Sequence, residues 1–230
     1  MDNSTCVILV PVSTHVEPEC EERLDLLEKR GYEVWRLIGR GGVDHSRSLL
    51  ATMALAKGFK ELFWIDADVI FDPEDVDRFR SHNLPIVGGI YAQRVAAGGI
   101  ASFWTEGFHK EKQFVVGKGG GLMETLYTGT GFLYTKAEVY PKIQKHWDLP
   151  ECNRKLGAPL VPYFMPFWIE LEGEYRCLVD DYSFCERARQ AGYKIMVDTT
   201  IRLWHLGKYR YGWEDTQIAM RRLESFQLPT

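Results

Sequence analysis

Three short apolar runs alternate with two helical stretches over the first 66 residues, and this alternation leaves few folds open. CVILVPV (6–12) is apolar without interruption, the mark of a strand buried on both faces of a parallel sheet. YEVWRLI (32–38) and ELFWID (61–66) read as the second and third strands. Between them, Glu19–Lys29 carries Leu24 and Leu27 among charges and stops at Gly31. Ser46–Lys57 carries Leu49, Leu50, Met53 and Ala54 and stops at Gly58. Glycine is the usual residue just past a helix end. Strand, helix, strand, helix, strand is the doubly wound α/β pattern.

Further along, FDPEDVDRF supplies an N-cap in Asp72, Pro73 for the first helical position, and Glu74 and Asp75 for the first turn. Capping accounts for these acids, so they stay outside the candidate site. PIVGGIY (85–91) is another strand whose glycine pair lets backbones approach closely. Residues 101–116 read as a hairpin or meander, followed by the loop KGGG (118–121), either a closing lid or a plain turn. LMETLYTGTGFLYTKAEVY (122–140) reads as strand, glycine turn, strand, then a helix from about Lys136. Residues 147–172, rich in proline and aromatics, receive no element. DDYSFCERARQAG (180–192) is a helix, KIMVDT and IRLWHLG are the last strands, and a helix is expected over about 214–226. No repeat, low-complexity segment or linker divides the chain, so one domain is expected over 1–230.

A net charge of −4 provides no global basic field to attract nucleic acid. No stretch approaches the roughly 20 apolar residues that span a bilayer. MDNSTCVILVPVS lacks a positive leading region and reads as a first strand rather than a signal peptide. Five cysteines without a CxxC pair fit a reduced, cytoplasmic setting better than a disulfide framework, with Cys6 and Cys185 in the core.

The chemistry concentrates in FWIDADVIF (63–71). Asp66 and Asp68, separated by the small Ala67, point the same way where the third strand ends. Open α/β sheets bind ligands at that rim. Two carboxylates on one face form a hard-oxygen site for Mg²⁺ or Mn²⁺, and a divalent ion carrying a diphosphate would offset their repulsion. The plain alternative is one aspartate capping a turn and the other solvated. Asp180 and Asp181 open a helix, where the dipole favours negative charge. One cap needs one acid, which leaves Asp181 for catalysis. His205, in LWHLGKY, follows an apolar strand as a strand-end metal ligand would; a structural histidine is the alternative. Trp104, Trp147, Tyr163, Phe164, Phe167 and Trp168 offer flat rings to a sugar, or else a core cluster.

The ordered set of a helix with Arg47, FWIDADVIF, IVGGIY, TGTGF, DDYSFCERARQAG and VDT…WHLG resembles the GT-A glycosyltransferases from residue 6 to about 208. It is similar to the nucleotide-sugar-dependent, metal-dependent members related to the large inverting family 2. The resemblance implies an α/β fold with a mostly parallel central sheet, flanking helices and a small second antiparallel sheet. It implies a nucleotide-binding half to about residue 95, an acceptor half over about 96–210 and a helical tail over 211–230. Asp68 corresponds to the ligand of the Mn²⁺ or Mg²⁺ that bridges the donor diphosphate. Asp66 contacts the ribose or the metal shell, and His205 completes that shell. Pro11, Ser13, Thr14 and His15, with Arg47 and Ala67, surround the nucleotide. Asp181 is the base, and Asp180, which stands where the family often has Glu, contacts the acceptor. Gly89, Thr130, Gly131 and Trp168 fall on the sugar and acceptor side. The implied reaction is inverting hexosyl transfer from a nucleotide sugar, UDP favoured, to a glycan or small hydroxyl acceptor. Two alternatives stand beside it. One is a haloacid dehalogenase-type phosphatase with Asp66 as nucleophile, although its DxD normally follows the first strand. The other is a nucleotide-sugar or glycan-binding module without catalysis.

Overall fold

The computed structural model describes residues 1–39, 41–94, 99–100, 115–171, 173–207 and 209–215. The first three strands form as expected: β1 (Cys6–Val12), β2 (Glu33–Ile38) and β3 (Glu61–Ile65), joined by α1 (Pro18–Lys29) and α2 (Val43–Ala56). All seven residues of β1 are buried, whereas β2 is half-exposed because it forms the sheet edge. Helix α2 begins a turn earlier than expected, with Gly42 at its N-cap and Asp44 in its first turn.

Beyond β3 come β4 (Val69–Ile70), α3 (Pro73–Ser81), β5 (Ile86–Gly89), β6 (Leu122–Thr125), β7 (Phe132–Lys136) and α4 (Val139–Trp147). Then follow β8 (Phe167–Leu171), β9 (Glu174–Leu178), α5 (Asp180–Gln190), β10 (Ile195–Asp198), β11 (Trp204–Leu206) and β12 (Arg210–Tyr211). Asp72 caps α3 as expected, its carboxylate accepting from the Glu74 N–H at 3.1 Å.

The main sheet runs β2-β1-β3-β7-β5-β10-β6. Strands β2, β1, β3, β5 and β10 point one way, while β7 and β6 oppose them. A three-stranded sheet β12-β11-β4 and the hairpin β8–β9 complete the architecture. This is the mostly parallel α/β sheet with flanking helices and small antiparallel additions that the resemblance implies. Side chains alternate between two cores. Val7, Leu9, Leu62 and Trp64 face α2, α4 and α5, whereas Ile8, Val10, Phe63 and Ile65 face α1 and α3. Each such buried side chain contributes about 1.5–3 kcal/mol.

Several expectations change. Strands β6 and β7 are not turn-linked neighbours: β6 lies at the far edge against β10, and β7 inserts between β3 and β5. Burial explains the sorting, because FLYT is enclosed on both faces and LMET is half-exposed. Helix α4 starts at Val139 rather than Lys136, which still pairs with Glu61 in the sheet. The hairpin β8–β9 occupies a stretch that had received no element. The loop 118–121 is tied to Thr199, which accepts from the Gly121 N–H at 3.0 Å and donates to the Val115 carbonyl at 2.7 Å. A Cβ on Gly120 would stand 2.4 Å from Thr199 Oγ1, so glycine is required there. Trp104 lies outside the described residues, as do all but residues 115–116 of the hairpin expected over 101–116 and all but 214–215 of the helix expected over about 214–226. All five cysteines are free thiols, with Cys6 and Cys185 buried. No helix among the described residues is long and apolar enough to cross a membrane.

Candidate active site

A cleft of about 380 Å³ opens at the carboxyl ends of β1 and β3. It gathers Pro11, Ser13, Arg47, Asp66, Ala67, Asp68, Asp180, Asp181 and His205, all expected at the site. Segments separated by more than a hundred residues meet here because β1 and β3 are neighbours and α5 packs beside α2.

The DAD tripeptide is held from both sides. The Asp66 N–H donates to the Gly131 carbonyl at 3.0 Å, and the Ala67 carbonyl accepts from the Glu17 N–H at 2.8 Å. Behind it, β4 pairs antiparallel with β11 so that His205 sits opposite Val69, and Leu206 N–H donates to the Asp68 carbonyl at 2.7 Å. This register brings His205 Nε2 to 3.4 Å from Asp68 Oδ1. The other ring nitrogen, Nδ1, donates to the Ala92 carbonyl at 2.9 Å. That bond to Ala92 turns Nε2 toward the carboxylate oxygen.

Asp66 is directed elsewhere. Arg47, buried on α2, donates from Nη2 to Asp66 Oδ1 at 2.5 Å and from Nη1 to Asp180 Oδ2. Burial works against the Arg47 charge, but Asp66, Asp180 and Asp181 outweigh it and raise its pKa. Burial also works against Asp68, where His205 and Arg94 prevail and hold the carboxyl below the usual range. Asp181 goes the other way. Burial, then the adjacent Asp180 charge, pushes its carboxyl up to about 7 despite the opposing pull of Arg47. The Tyr182 N–H donates to its Oδ1 at 2.8 Å.

Asp68 and His205 could offer a divalent ion one oxygen and one nitrogen. Among the described residues, no three His, Cys, Asp or Glu side chains are grouped for that purpose.

The remaining expected residues stand around the cleft rather than in its lining. Thr14 and His15 are exposed in the loop after β1, hydrogen-bonded to each other at 3.1 Å. Gly89 and Thr130 are buried in the sheet and its connection. Gly131 forms the floor beneath Asp66 and Tyr91. Trp168 is 68% exposed on the β8–β9 hairpin, edge-to-face with Tyr175 at 5.3 Å. The aromatic group divides. Tyr163 and Phe164 belong to the core, Phe164 stacking on Phe184 at 4.6 Å, while Trp147 packs edge-on against Phe167 at 5.2 Å.

Tyr91, the last residue of IVGGIY, and Arg94, which lies in no motif, also line the cleft, although neither was expected at the site. Tyr91 is buried, its hydroxyl accepts from the Gly131 N–H at 3.0 Å, and its ring meets His205 edge-on at 5.2 Å. Arg94 donates from Nη1 to Asp68 Oδ2 at 2.5 Å.

No protein-family model and no curated protein matches this chain. Solved structures do. The crystal structure of A197 from STIV superposes with a TM-score of 0.57 at 19% identity, covering 88% of this chain and 85% of that one. That likeness is one of fold. GalNAc-T7 with UDP, GalNAc and Mn²⁺ gives 0.46 at 13% identity, over 91% of this chain and 45% of that one. S. aureus TarS 1-349 in complex with UDP-GlcNAc gives 0.40 at 12% identity, over 96% and 62%. Likenesses as distant as the last two carry no argument about this chain, and their ligands are theirs.

Proposed function

We propose that the cleft transfers a sugar from a nucleoside diphosphate donor, UDP in the first instance, to a hydroxyl of a glycan or small acceptor. Asp68 and His205 would hold Mn²⁺ or Mg²⁺, and Asp181 acts as general base. The observation that carries this reading is a charge imbalance: the cleft lining sets Asp66, Asp68, Asp180 and Asp181 against Arg47 and Arg94. A diphosphate alone would add to the negative excess, whereas a divalent ion between carboxylate and phosphate relieves both. The Asp68–His205 pair fits such an ion. Asp68 Oδ1 and His205 Nε2 lie 3.4 Å apart, and the ring is fixed by its Nδ1 bond to Ala92. Ions of this class commonly take one or two carboxylates from the protein and the rest from phosphate and water.

When bound, the ion supplies Lewis-acid stabilisation of the departing diphosphate. The chain's own residues do the rest. Pro11, Ser13 and Ala67 line the nucleoside side, with Thr14 and His15 on the adjoining loop. Asp66 keeps Arg47 in place and so fixes Asp180 at the start of α5. Asp181, poised near neutrality, accepts the proton of the acceptor hydroxyl, a contribution of about 10²–10⁴-fold. A base on the face opposite the leaving group gives inversion. Trp168, with Gly89, Thr130 and Gly131 nearer the sheet, falls on the acceptor side.

The test is incubation with Mn²⁺ and a panel of UDP-, GDP- and dTDP-sugars, followed by assay of free nucleoside diphosphate. Slow release with one base supports the transferase. Turnover of p-nitrophenyl phosphate without release from any nucleotide sugar supports a phosphatase instead.

A further inference from the structure

We infer that Arg94 receives the donor's diphosphate and, until a donor arrives, serves as the counter-ion of Asp68. This rests on the sugar-transfer reading and extends it to a residue without a sequence motif. Among the described residues lining the cleft, Arg47 and Arg94 carry the fixed positive charge. They are not equivalent. Both terminal nitrogens of Arg47 are engaged, one by Asp66 and one by Asp180, and its side chain is 4% exposed. Turning it toward a ligand would leave two carboxylates without their cation. Arg94 is 52% exposed and, among the described residues, has one ion pair, from Nη1 to Asp68 Oδ2. Its stem lies against Gly207, two residues past His205: a Cβ there would meet Arg94 Cδ at 3.4 Å. The guanidinium thus hangs over the Asp68–His205 pair from an open wall.

On the Arg94 side the pair is open to water, which screens it and lets the guanidinium exchange partners. A guanidinium matches phosphate oxygens with two parallel N–H bonds, so a diphosphate competes well with a single carboxylate oxygen. Arg94 holds Asp68 Oδ2 and an ion beside His205 would take Oδ1, so the two cations share one carboxylate's charge, and each weakens the hold of the other. An ion on Asp68 would therefore release Arg94 toward the donor's diphosphate. Arg94 then has opposite effects on the two ligands: it favours the nucleotide and disfavours the free ion.

Isothermal titration of the wild type, Arg94→Met and Arg94→Lys separates these effects. With saturating Mn²⁺ present, UDP should bind Arg94→Met about tenfold or more weaker than wild type, while uridine is unaffected. GDP with guanosine and dTDP with thymidine run alongside in case the base is not uracil. Mn²⁺ alone should bind Arg94→Met more tightly, by about threefold or more, because Asp68 loses its competitor. Arg94→Lys, which keeps the charge without the fork, should fall between the two. Equal diphosphate affinity in wild type and Arg94→Met overturns the inference, as does weaker or unchanged Mn²⁺ binding in the variant. A wild type that binds no nucleoside diphosphate overturns the sugar-transfer reading itself, and the role of Arg94 with it.

Discussion

Arg47 Nη2 meets Asp66 Oδ1 at 2.5 Å inside the protein, and this ion pair ties helix α2 to the strand end that carries the DAD tripeptide. The same guanidinium holds Asp180, so one buried cation joins the two acidic segments of the cleft. Arg47→Met should therefore act first on stability. Removing one partner of a buried pair leaves uncompensated charge, at about 3 kcal/mol here, because both carboxylates keep a route to water. For a chain of this size, that lowers Tm by about 6–12 °C in a melting experiment. Arg47→Lys should recover part of the loss, since it restores the charge without reaching both acids. A Tm unchanged in Arg47→Met would show that the bridge is not structural.

The Asp68–His205 pair makes the metal assignment testable by substitution. Asp68→Ala should abolish Mn²⁺-dependent release of nucleoside diphosphate. His205→Ala should raise the Mn²⁺ concentration needed for half-maximal release by about 10–100-fold, as loss of one ligand or its orienting partner does. Wild-type release in Asp68→Ala would remove the ion from this position.

Asp181 links structure to pH. As the base it must be deprotonated, so the transfer rate should rise with pH and level off above about 7, the value to which burial and Asp180 push it. Asp180→Asn removes one of the raising charges and should move that limb to lower pH. Asp181→Asn should retain donor binding and lose transfer by about 10²-fold or more. The sign for stability is the reverse of the sign for catalysis. A carboxyl raised in the folded state stabilises below its unfolded value near 3.8 and loses that contribution as pH rises through about 7. Asp181→Asn should thus melt above the wild type at pH 8, with the difference shrinking toward pH 4. A limb that stays near 7 in Asp181→Asn would assign the base elsewhere.

The legible and illegible parts of this molecule differ in physical kind. Strands β1 and β3 announce themselves because enclosure on both faces demands unbroken apolar runs, and α3 because Asp72 and Pro73 are cap chemistry. The DAD segment, Asp180, Asp181 and His205 could be proposed as partners because strand ends and helix starts point to one rim of a sheet. Their pairings could not. Arg47 lies 19 residues from Asp66 and 133 from Asp180, and nothing local encodes that bridge. Arg94 looks like any surface arginine until the fold sets it over Asp68. The hairpin β8–β9 was illegible because FWIEL and EYRCL mix charge with aromatics. Tyr163 and Phe164 have a composition that suits a sugar platform as well as the core they actually join.

Gly131 offers the sharpest steric test. Its N–H donates to Tyr91 and its carbonyl accepts from Asp66, each at 3.0 Å. A Cβ there would stand 2.5 Å from the Tyr91 hydroxyl and 2.8 Å from Asp66 Oδ2, so both must shift. Gly131→Ala should destabilise by about 1–3 kcal/mol, as overpacking does. Assayed well below its Tm, it should also lose nucleoside diphosphate release by about a hundredfold, because a displacement near 1 Å at a reacting site has that effect. Gly121→Ala is the control. Among the described residues, nothing beyond its chain neighbours lies within 4 Å of its added Cβ, and its stability should stay within about 0.5 kcal/mol of wild type. Full activity in Gly131→Ala would mean that the floor under Asp66 and Tyr91 does not position the reacting groups.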